Sequence, residues 1–340
     1  MSENKIGLSK ASYKGSPSTL CVGCGHDSIT NHLVSALYES NTPPHLITKI
    51  SGIGCSSKTT NYFVDSAHGF NAIHGRMAPV ATGAKLVNKD LRIIGISGDG
   101  DSASIGLGGF VHLLRRNLPM VYVVENNGVY GLTKGQFSAT ADEGSTVKSG
   151  SKSYFQSIDL CMLAMTSGCS FVARAFSGDK KQLLPLLKAA LSHNGTAFID
   201  IVSPCVTFAN HEGSTKSFNY AKEHKHSLQE FGYVPANEEI TADYKPGDSQ
   251  MIQMHDGSKI MLKKIDGKSY DPQDFNVAIQ EVKKSQDEKS ILTGLLYHKN
   301  NQENLLSVEK VNSQVPLVKL EEKELKPTAN HLKDILQKFK

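Results

Sequence analysis

The chain has 340 residues, 39% hydrophobic and 21% charged, with 29 glycines and a formal net charge of +4. That suits one large α/β domain with an appendage and supplies enough apolar surface for a core. Scattered Lys and Arg argue against a nucleic-acid partner, and no run of about 18 apolar residues exists to span a membrane.

The N-terminal stretch MSENKIGLSKASYKGSPSTL is charged and lacks an apolar signal-peptide core, so a cytoplasmic location is expected. Cys21 and Cys24 then form C-x-x-C ahead of a helix expected over Asp27–Ser40. A β-branched run predicts a strand over Leu46–Ser51, followed by SGIGCSSK with Cys55. NAIHGRMAP brings His74 and Arg76, the latter opening a helix over Arg76–Asn88. Strand Leu91–Ser97 runs into GDGD, helix Asp101–Arg116 follows, and strand Met120–Glu125 ends in Asn126-Asn127-Gly128-Val129. The apolar helical stretch LCMLAMTSGCSF holds Cys161 and Cys169, which read as small buried hydrophobes. Strand Ser170–Ala175, helix Lys180–Ser192 and strand Ala197–Val202 close the series, with Cys205 just beyond.

Alternation of strand and helix means crossover connections, hence an α/β fold with a doubly wound, mostly parallel sheet. Ligands of such sheets bind at the carboxyl ends of the strands, where most of these motifs fall. Residues 1–227 form this core. Residues 228–340 read as a C-terminal extension that packs on the core or reaches a partner chain. It has a hairpin over Met251–Ile265 turning at Asp256-Gly257, a polar segment from Asp271-Pro272, and a last helix over Ala329–Phe339.

GDGD carries the first chemistry. Gly98 and Gly100 let backbone approach a ligand, and Asp99 and Asp101 stand at a strand end facing a helix start. Bare carboxylates would repel a phosphate, so they imply an intervening cation. Mg²⁺ suits, because it takes one or two carboxylates and completes its shell with phosphate oxygens and water. Asn127 and the Val129 carbonyl, at the neighbouring strand end, add neutral oxygen ligands. GDG, about 25 residues, then NN resembles the thiamine-diphosphate motif of transketolase- and pyruvate-decarboxylase-type enzymes, in which the matching Asp99, Asn127 and Val129 would hold Mg²⁺.

Six cysteines in a chain of this kind point to metal ligands or free thiols rather than disulfides. Four of them, Cys21, Cys24, Cys55 and Cys205, sit in loops at strand or helix ends and could converge. Spacing alone leaves structural Zn²⁺ and an iron–sulfur cluster open. The ordered set CVGCGH, SGIGCSSK, HGR, GDGD, NNGVYGLTKGQ and SPC closely resembles the beta subunit of 2-oxoacid:ferredoxin oxidoreductases, over about residues 18–225. The resemblance implies that Cys21, Cys24, Cys55 and Cys205 hold one [4Fe–4S] cluster beside the cofactor. It also implies that Ile53, Gly54, Cys55 and Ser56 contact thiamine diphosphate. Gly131 and Leu132 would close over the diphosphate, with Thr133 and Gln136 in support, and His74 would approach it. Lys134 departs from the common TGGQ form, as it does in some 2-oxoglutarate-type members. Lys58 is the best candidate for a cation facing substrate or CoA.

By the same resemblance the expected reaction is oxidative decarboxylation of a 2-oxoacid to acyl-CoA and CO₂. Electrons would leave one at a time through the cluster to ferredoxin, a separate protein. The IGCSSK and YGLTKGQ variants look most like 2-oxoglutarate-oxidising members, with pyruvate close behind. Only the diphosphate half of the site is visible, so an alpha subunit should supply the aminopyrimidine half and the activating Glu, as a dimer of heterodimers. The competing readings are a non-redox thiamine-diphosphate decarboxylase subunit, which needs no cysteines, and a zinc-containing binding module without catalysis.

Overall fold

The computed structural model describes residues 3–145, 152–203, 205–206, 239–253, 259–311 and 314–339. Its centre is a nine-stranded sheet in the order β2-β1-β3-β4-β8-β7-β11-β10-β9. The strands are β1 (Ile47–Ser51), β2 (His68–Asn71), β3 (Arg92–Gly98), β4 (Met120–Asn126), β7 (Phe171–Phe176), β8 (Thr196–Val202), β9 (Ser249–Gln253), β10 (Lys259–Lys264) and β11 (Ile291–His298). The short pair β5 (Val129–Tyr130) and β6 (Gln136–Phe137) forms a separate antiparallel ribbon. From β2 through β7 every pairing is parallel, so the carboxyl ends of six strands share one edge.

Burial follows the two-residue period of a strand with both faces covered. In β4, Val121 and Val123 pack into one apolar cluster, with Ile29 and Leu33 of α1 (Gly25–Glu39) and Leu183 and Leu187 of α6 (Lys180–Ser192). Met120, Tyr122 and Val124 pack into the other. That cluster holds α3 (Met77–Val87), α4 (Leu107–Arg115), α5 (Leu160–Thr166) and α7 (Phe275–Asp287). Phe110 of α4 meets Tyr122 and Phe198 edge-on, each at 5.1 Å between centroids, an arrangement aromatic quadrupoles favour. Cys161 and Cys169 are fully buried in this layer.

Two features depart from expectation. The helix expected over Asp101–Arg116 is broken: a π-helical turn, Gly100–Ile105, precedes α4, and Gly106 N–H donates to the Asp101 carbonyl at 2.7 Å. Such turns recur at functional sites. The strands that follow residue 239 continue the central sheet, since β11 pairs antiparallel with β7 and parallel with β10. The hairpin is present as antiparallel β9 and β10, while its Asp256-Gly257 turn lies outside the described residues. The last helix spans Ala329–Gln337. Among the described residues no helix is long and apolar enough to cross a membrane.

Candidate cofactor site

The shared carboxyl edge brings the motifs together. One cavity is lined by Ile53, Gly54, Cys55 and Ser56 from the end of β1, and by Gly98, Asp99, Gly100 and Asp101 from β3. Asn127, Val129, Tyr130 and Gly131 follow from beyond β4, with His26 and Glu125 at its floor. Gly54 has φ +81 and open space where a Cβ would stand, so bare backbone faces the cavity. At Gly100 a Cβ would lie 2.4 Å from the Tyr130 ring, whose hydroxyl donates to the Gly100 carbonyl at 2.8 Å. The glycine is therefore required for the loop after β4 to close on the strand end.

Asp99 is 1% exposed. Its Oδ2 accepts from the Ser138 and Thr140 hydroxyls, the latter at 2.6 Å, and its Oδ1 accepts from Asn127 N–H at 3.3 Å. No lysine or arginine bonds it among the described residues, so a buried carboxylate stands beside an amide oxygen and a backbone carbonyl. That hard, anionic oxygen set is the chemistry Mg²⁺ takes, and Asp99, Asn127 and Val129 fit it. Asn127 Oδ1 accepts from Val129 N–H at 3.1 Å, which holds the two candidate ligands in one turn.

Asp101 has a different environment. Its Oδ1 accepts from Gly75 N–H at 2.7 Å and its Oδ2 from the Ser97 hydroxyl at 2.9 Å. Both oxygens therefore brace the HGR turn against the end of β3. His74 in that turn is exposed and lines neither cavity of the edge. Arg76 is also exposed and donates to the Gly75 carbonyl at 3.2 Å.

A second cavity of about 230 Å³ adjoins the first and is lined by all four loop cysteines, Cys21, Cys24, Cys55 and Cys205. It shares His26, Cys55, Asn127 and Gly131 with the first. A Cβ on Gly131 would lie 3.7 Å from both Cys55 Sγ and Cys205 Sγ. Burial pushes the Cys24 and Cys55 thiols up, and the other thiols of the set add to the effect. Among the described residues no three His, Cys, Asp or Glu side chains close on a single-ion site. All four loop cysteines nonetheless line this one cavity, and four is the number of thiolates a cubane cluster takes. Lys58 and Leu132 line the same cavity, Leu132 with 57% of its surface exposed. Thr133 and Gln136 are exposed and hydrogen-bonded to each other. Lys134 adopts φ +79, a conformation that suits the glycine of TGGQ.

Several functional-looking residues were given no role by the motifs, although His26 stands inside CVGCGH. Glu125 and His26 are buried; both line the first cavity, and His26 also lines the second. A further buried run leads from Thr140 to Asn126 Oδ1 (3.1 Å), from Asn126 to Asp200 (3.0 Å), and on to Arg174, which also bonds Asp159 at 2.6 Å. The signal for these residues was a charge inside an otherwise apolar strand: Glu125 in MVYVVEN, Arg174 in FVARAF and Asp200 in TAFIDIV.

Residues 52–201 match the family described as thiamine pyrophosphate enzyme, C-terminal TPP binding domain. Fold and strand-end site together define an α/β domain of the thiamine-diphosphate-binding enzymes. Subunit beta of 2-oxoacid:ferredoxin oxidoreductase 1 of Aeropyrum pernix is 45% identical over 189 residues, covering 55% of this chain and 59% of that one. The 2-oxoglutarate synthase subunit KorB of Methanocaldococcus jannaschii is 36% identical over 194 residues, 56% of this chain and 71% of that one. The chain belongs to the family of 2-oxoacid:ferredoxin oxidoreductase beta subunits. It spans 59% and 62% of the length of the Aeropyrum and Sulfolobus relatives. A solved 2-oxoglutarate:ferredoxin oxidoreductase from Magnetococcus marinus, with 2-oxoglutarate, coenzyme A and succinyl-CoA bound, aligns with a TM-score of 0.72 at 26% identity. That alignment covers 98% of this chain and 96% of the other.

Proposed function

We propose that this chain is the thiamine-diphosphate- and [4Fe–4S]-binding subunit of an enzyme that oxidatively decarboxylates a 2-oxoacid to acyl-CoA and CO₂ and passes electrons to ferredoxin. The carrying observation is adjacency: the cavity ringed by Cys21, Cys24, Cys55 and Cys205 shares Cys55 with the cavity built around Asp99 and Asn127. When bound, thiamine diphosphate supplies the carbanion chemistry and the cluster takes up single electrons. The protein's part is to bind, orient and exclude water. Asp99, Asn127 and the Val129 carbonyl hold the metal, Gly54 offers the diphosphate bare backbone with Gly98 and Gly100 lining the same cavity, and the four thiols hold the cluster.

Lys58 lies among the cysteines in a mostly apolar cavity and is the cation assigned to an anionic substrate or CoA. The name and bound 2-oxoglutarate of the Magnetococcus structure and the naming of the Methanocaldococcus relative favour 2-oxoglutarate as the substrate. A partner must complete the site. Val22, Phe70, Ile73 and Leu132 are 69%, 50%, 74% and 57% exposed around the ligand edge, and an alpha subunit covering them would bring the aminopyrimidine half.

The test is reconstitution. The chain alone should catalyse no 2-oxoacid-dependent reduction of ferredoxin or a viologen dye, even with about four irons per chain. Adding the alpha subunit should restore CoA-dependent turnover, fastest with 2-oxoglutarate among a panel of 2-oxoacids. Robust turnover by the chain alone would refute the two-subunit reading, and zinc without labile sulfide would refute the cluster.

A further inference from the structure

Strand β4 is apolar and buried until its end, where it carries one acid. The Glu125 side chain has no solvent exposure, and its nearest charged-type partner among the described residues is His26, with Nε2 3.6 Å from Oε2. Burial holds this carboxyl well above the usual carboxylate range and pushes the His26 imidazole down to about 4. An apolar side chain would fill the same space without the desolvation cost, so packing alone does not call for this pair.

What the pair touches is informative. Thr59 Oγ1 donates to both Glu125 carboxyl oxygens, at 3.1 and 3.0 Å, and His26 Nδ1 lies 2.7 Å from Ser203 Oγ. The run Ser203–His26–Glu125–Thr59 thus crosses four segments of the chain. Ser203 stands two residues before Cys205, and His26 two residues after Cys24. Thr59 lies one helical turn after Cys55 in the helix Cys55–Thr59, and Glu125 stands two residues before Asn127. Ser203 N–H also donates to the Asn126 carbonyl at 2.8 Å, tying the last two segments by backbone. Each of the three segments that bear a loop cysteine is joined through this one buried run to the strand end that carries the candidate metal ligand.

We propose that Glu125 and His26 are positioning residues that lock the three cysteine-bearing segments onto the Asn127 strand end, so that the cluster and diphosphate sites hold one geometry and stabilise each other. This rests on the cluster and diphosphate reading given above. A link of this kind is reciprocal: filling either site tightens binding at the other by the same factor.

The experiment compares Glu125→Ala, Glu125→Gln and His26→Ala with the wild type, each assembled with the alpha subunit. It measures iron per folded chain, the EPR line shape of the reduced cluster, and calorimetric affinity for thiamine diphosphate with Mg²⁺. Glu125→Ala and His26→Ala should lose at least about half their iron, alter the line shape, and bind the cofactor about fivefold or more weakly. Glu125→Gln keeps the length and the acceptor for Thr59, and should restore all three. His193→Ala, at the opposite edge of the sheet, should change none. Wild-type iron, line shape and affinity in Glu125→Ala would overturn the proposal. Should Glu125→Ala fail to fold, the double variant Thr59→Val, Ser203→Ala opens both ends of the run, and wild-type values there would overturn it equally. Wild-type protein without iron would instead sink the cluster reading. The cofactor affinity of Glu125→Ala would then decide alone, unchanged affinity overturning the link and weakened affinity supporting it.

Discussion

Asp99→Asn separates the charge of the metal site from its scaffold. The side chain is buried and accepts three hydrogen bonds, from Ser138, Thr140 and Asn127 N–H. Asn keeps the volume and one acceptor oxygen. The two hydroxyls also bond each other at 2.9 Å and can rotate, so the fold should lose no more than about 1 kcal/mol, one neutral hydrogen bond. Binding should suffer more, because the anionic metal ligand has gone and the charge of the diphosphate is poorly compensated. Affinity for thiamine diphosphate should fall at least about tenfold, or ~1.4 kcal/mol, with a matching rise in the Mg²⁺ needed for half-saturation. Asn127→Ala should act the same way but more weakly, since it removes a neutral oxygen. Asp99→Ala should also destabilise the fold by about 1–3 kcal/mol, because the buried Asn127 N–H loses its acceptor. Calorimetry on the complex with the alpha subunit, paired with thermal unfolding, distinguishes these effects. Cofactor affinity within twofold of wild type in a folded Asp99→Asn variant would refute the metal assignment.

Serine in place of Cys21, Cys24, Cys55 or Cys205 should lower the iron content of anaerobically purified protein, whereas Cys161→Ser and Cys169→Ser should leave it unchanged; iron analysis with labile sulfide checks this. Arg174→Met strands the buried carboxylate of Asp200 and removes a partner from the part-buried Asp159, so unfolding free energy should fall by about 3 kcal/mol, measured by denaturant titration. His193 is pushed down to about 4, chiefly by burial and also by His298, so the unfolded chain binds more protons between about pH 6.5 and 4 and stability should drop as pH falls through that window. His193→Gln should flatten that part of the pH–stability curve, and an unchanged slope would count against the assignment.

Legibility differed by element for physical reasons. The five core strands lie within a residue or two of their expected bounds because strands buried on both faces read as continuous β-branched runs. Lys180–Ser192 was legible despite Pro185, with Asp179 capping its start by accepting from Gln182 N–H at 3.1 Å. Strand β2 was not legible. His68–Asn71 is exposed throughout, and its place at the sheet edge comes from backbone pairing with β1 and a hydrogen bond from the Ser51 hydroxyl to Asn71, not from an apolar face. Helix Phe275–Asp287 was hidden in a polar segment because it buries only Ala278, Val282 and Ser285, too narrow a stripe to stand out among its Lys and Glu. The loop cysteines and the Asp99–Asn127 pair could be placed at strand and helix ends from the sequence, while the resemblance to a family, and not spacing, said what the cysteines would hold. Ser138, Thr140, His26 and Glu125 were not, because their roles depend on side-chain contacts between segments far apart in sequence.

The two carboxylates of GDGD show how much depends on such contacts. In sequence Asp99 and Asp101 look equivalent, each following a glycine at the end of one strand. Hydrogen bonds divide them. Asp99 is met by two hydroxyls and one peptide N–H, leaving its charge uncompensated by any basic side chain among the described residues. Asp101 is spent on Gly75 N–H and the Ser97 hydroxyl, and the π-helical turn that begins at Gly100 carries it to that position. A continuous α-helix from Asp101 would place its carboxylate differently, and nothing would then hold the HGR turn against β3. A Cβ on Gly52 would lie 2.3 Å from Asp101 Oδ2, and one on Gly106 2.8 Å from the Asp101 carbonyl, so neighbouring glycines make room for this bracing role. One acid thus keeps a charge that no basic side chain among the described residues meets, and the other fixes the backbone beside it. The division follows from which donors each oxygen meets, a property of the fold that residue type and spacing alone do not encode.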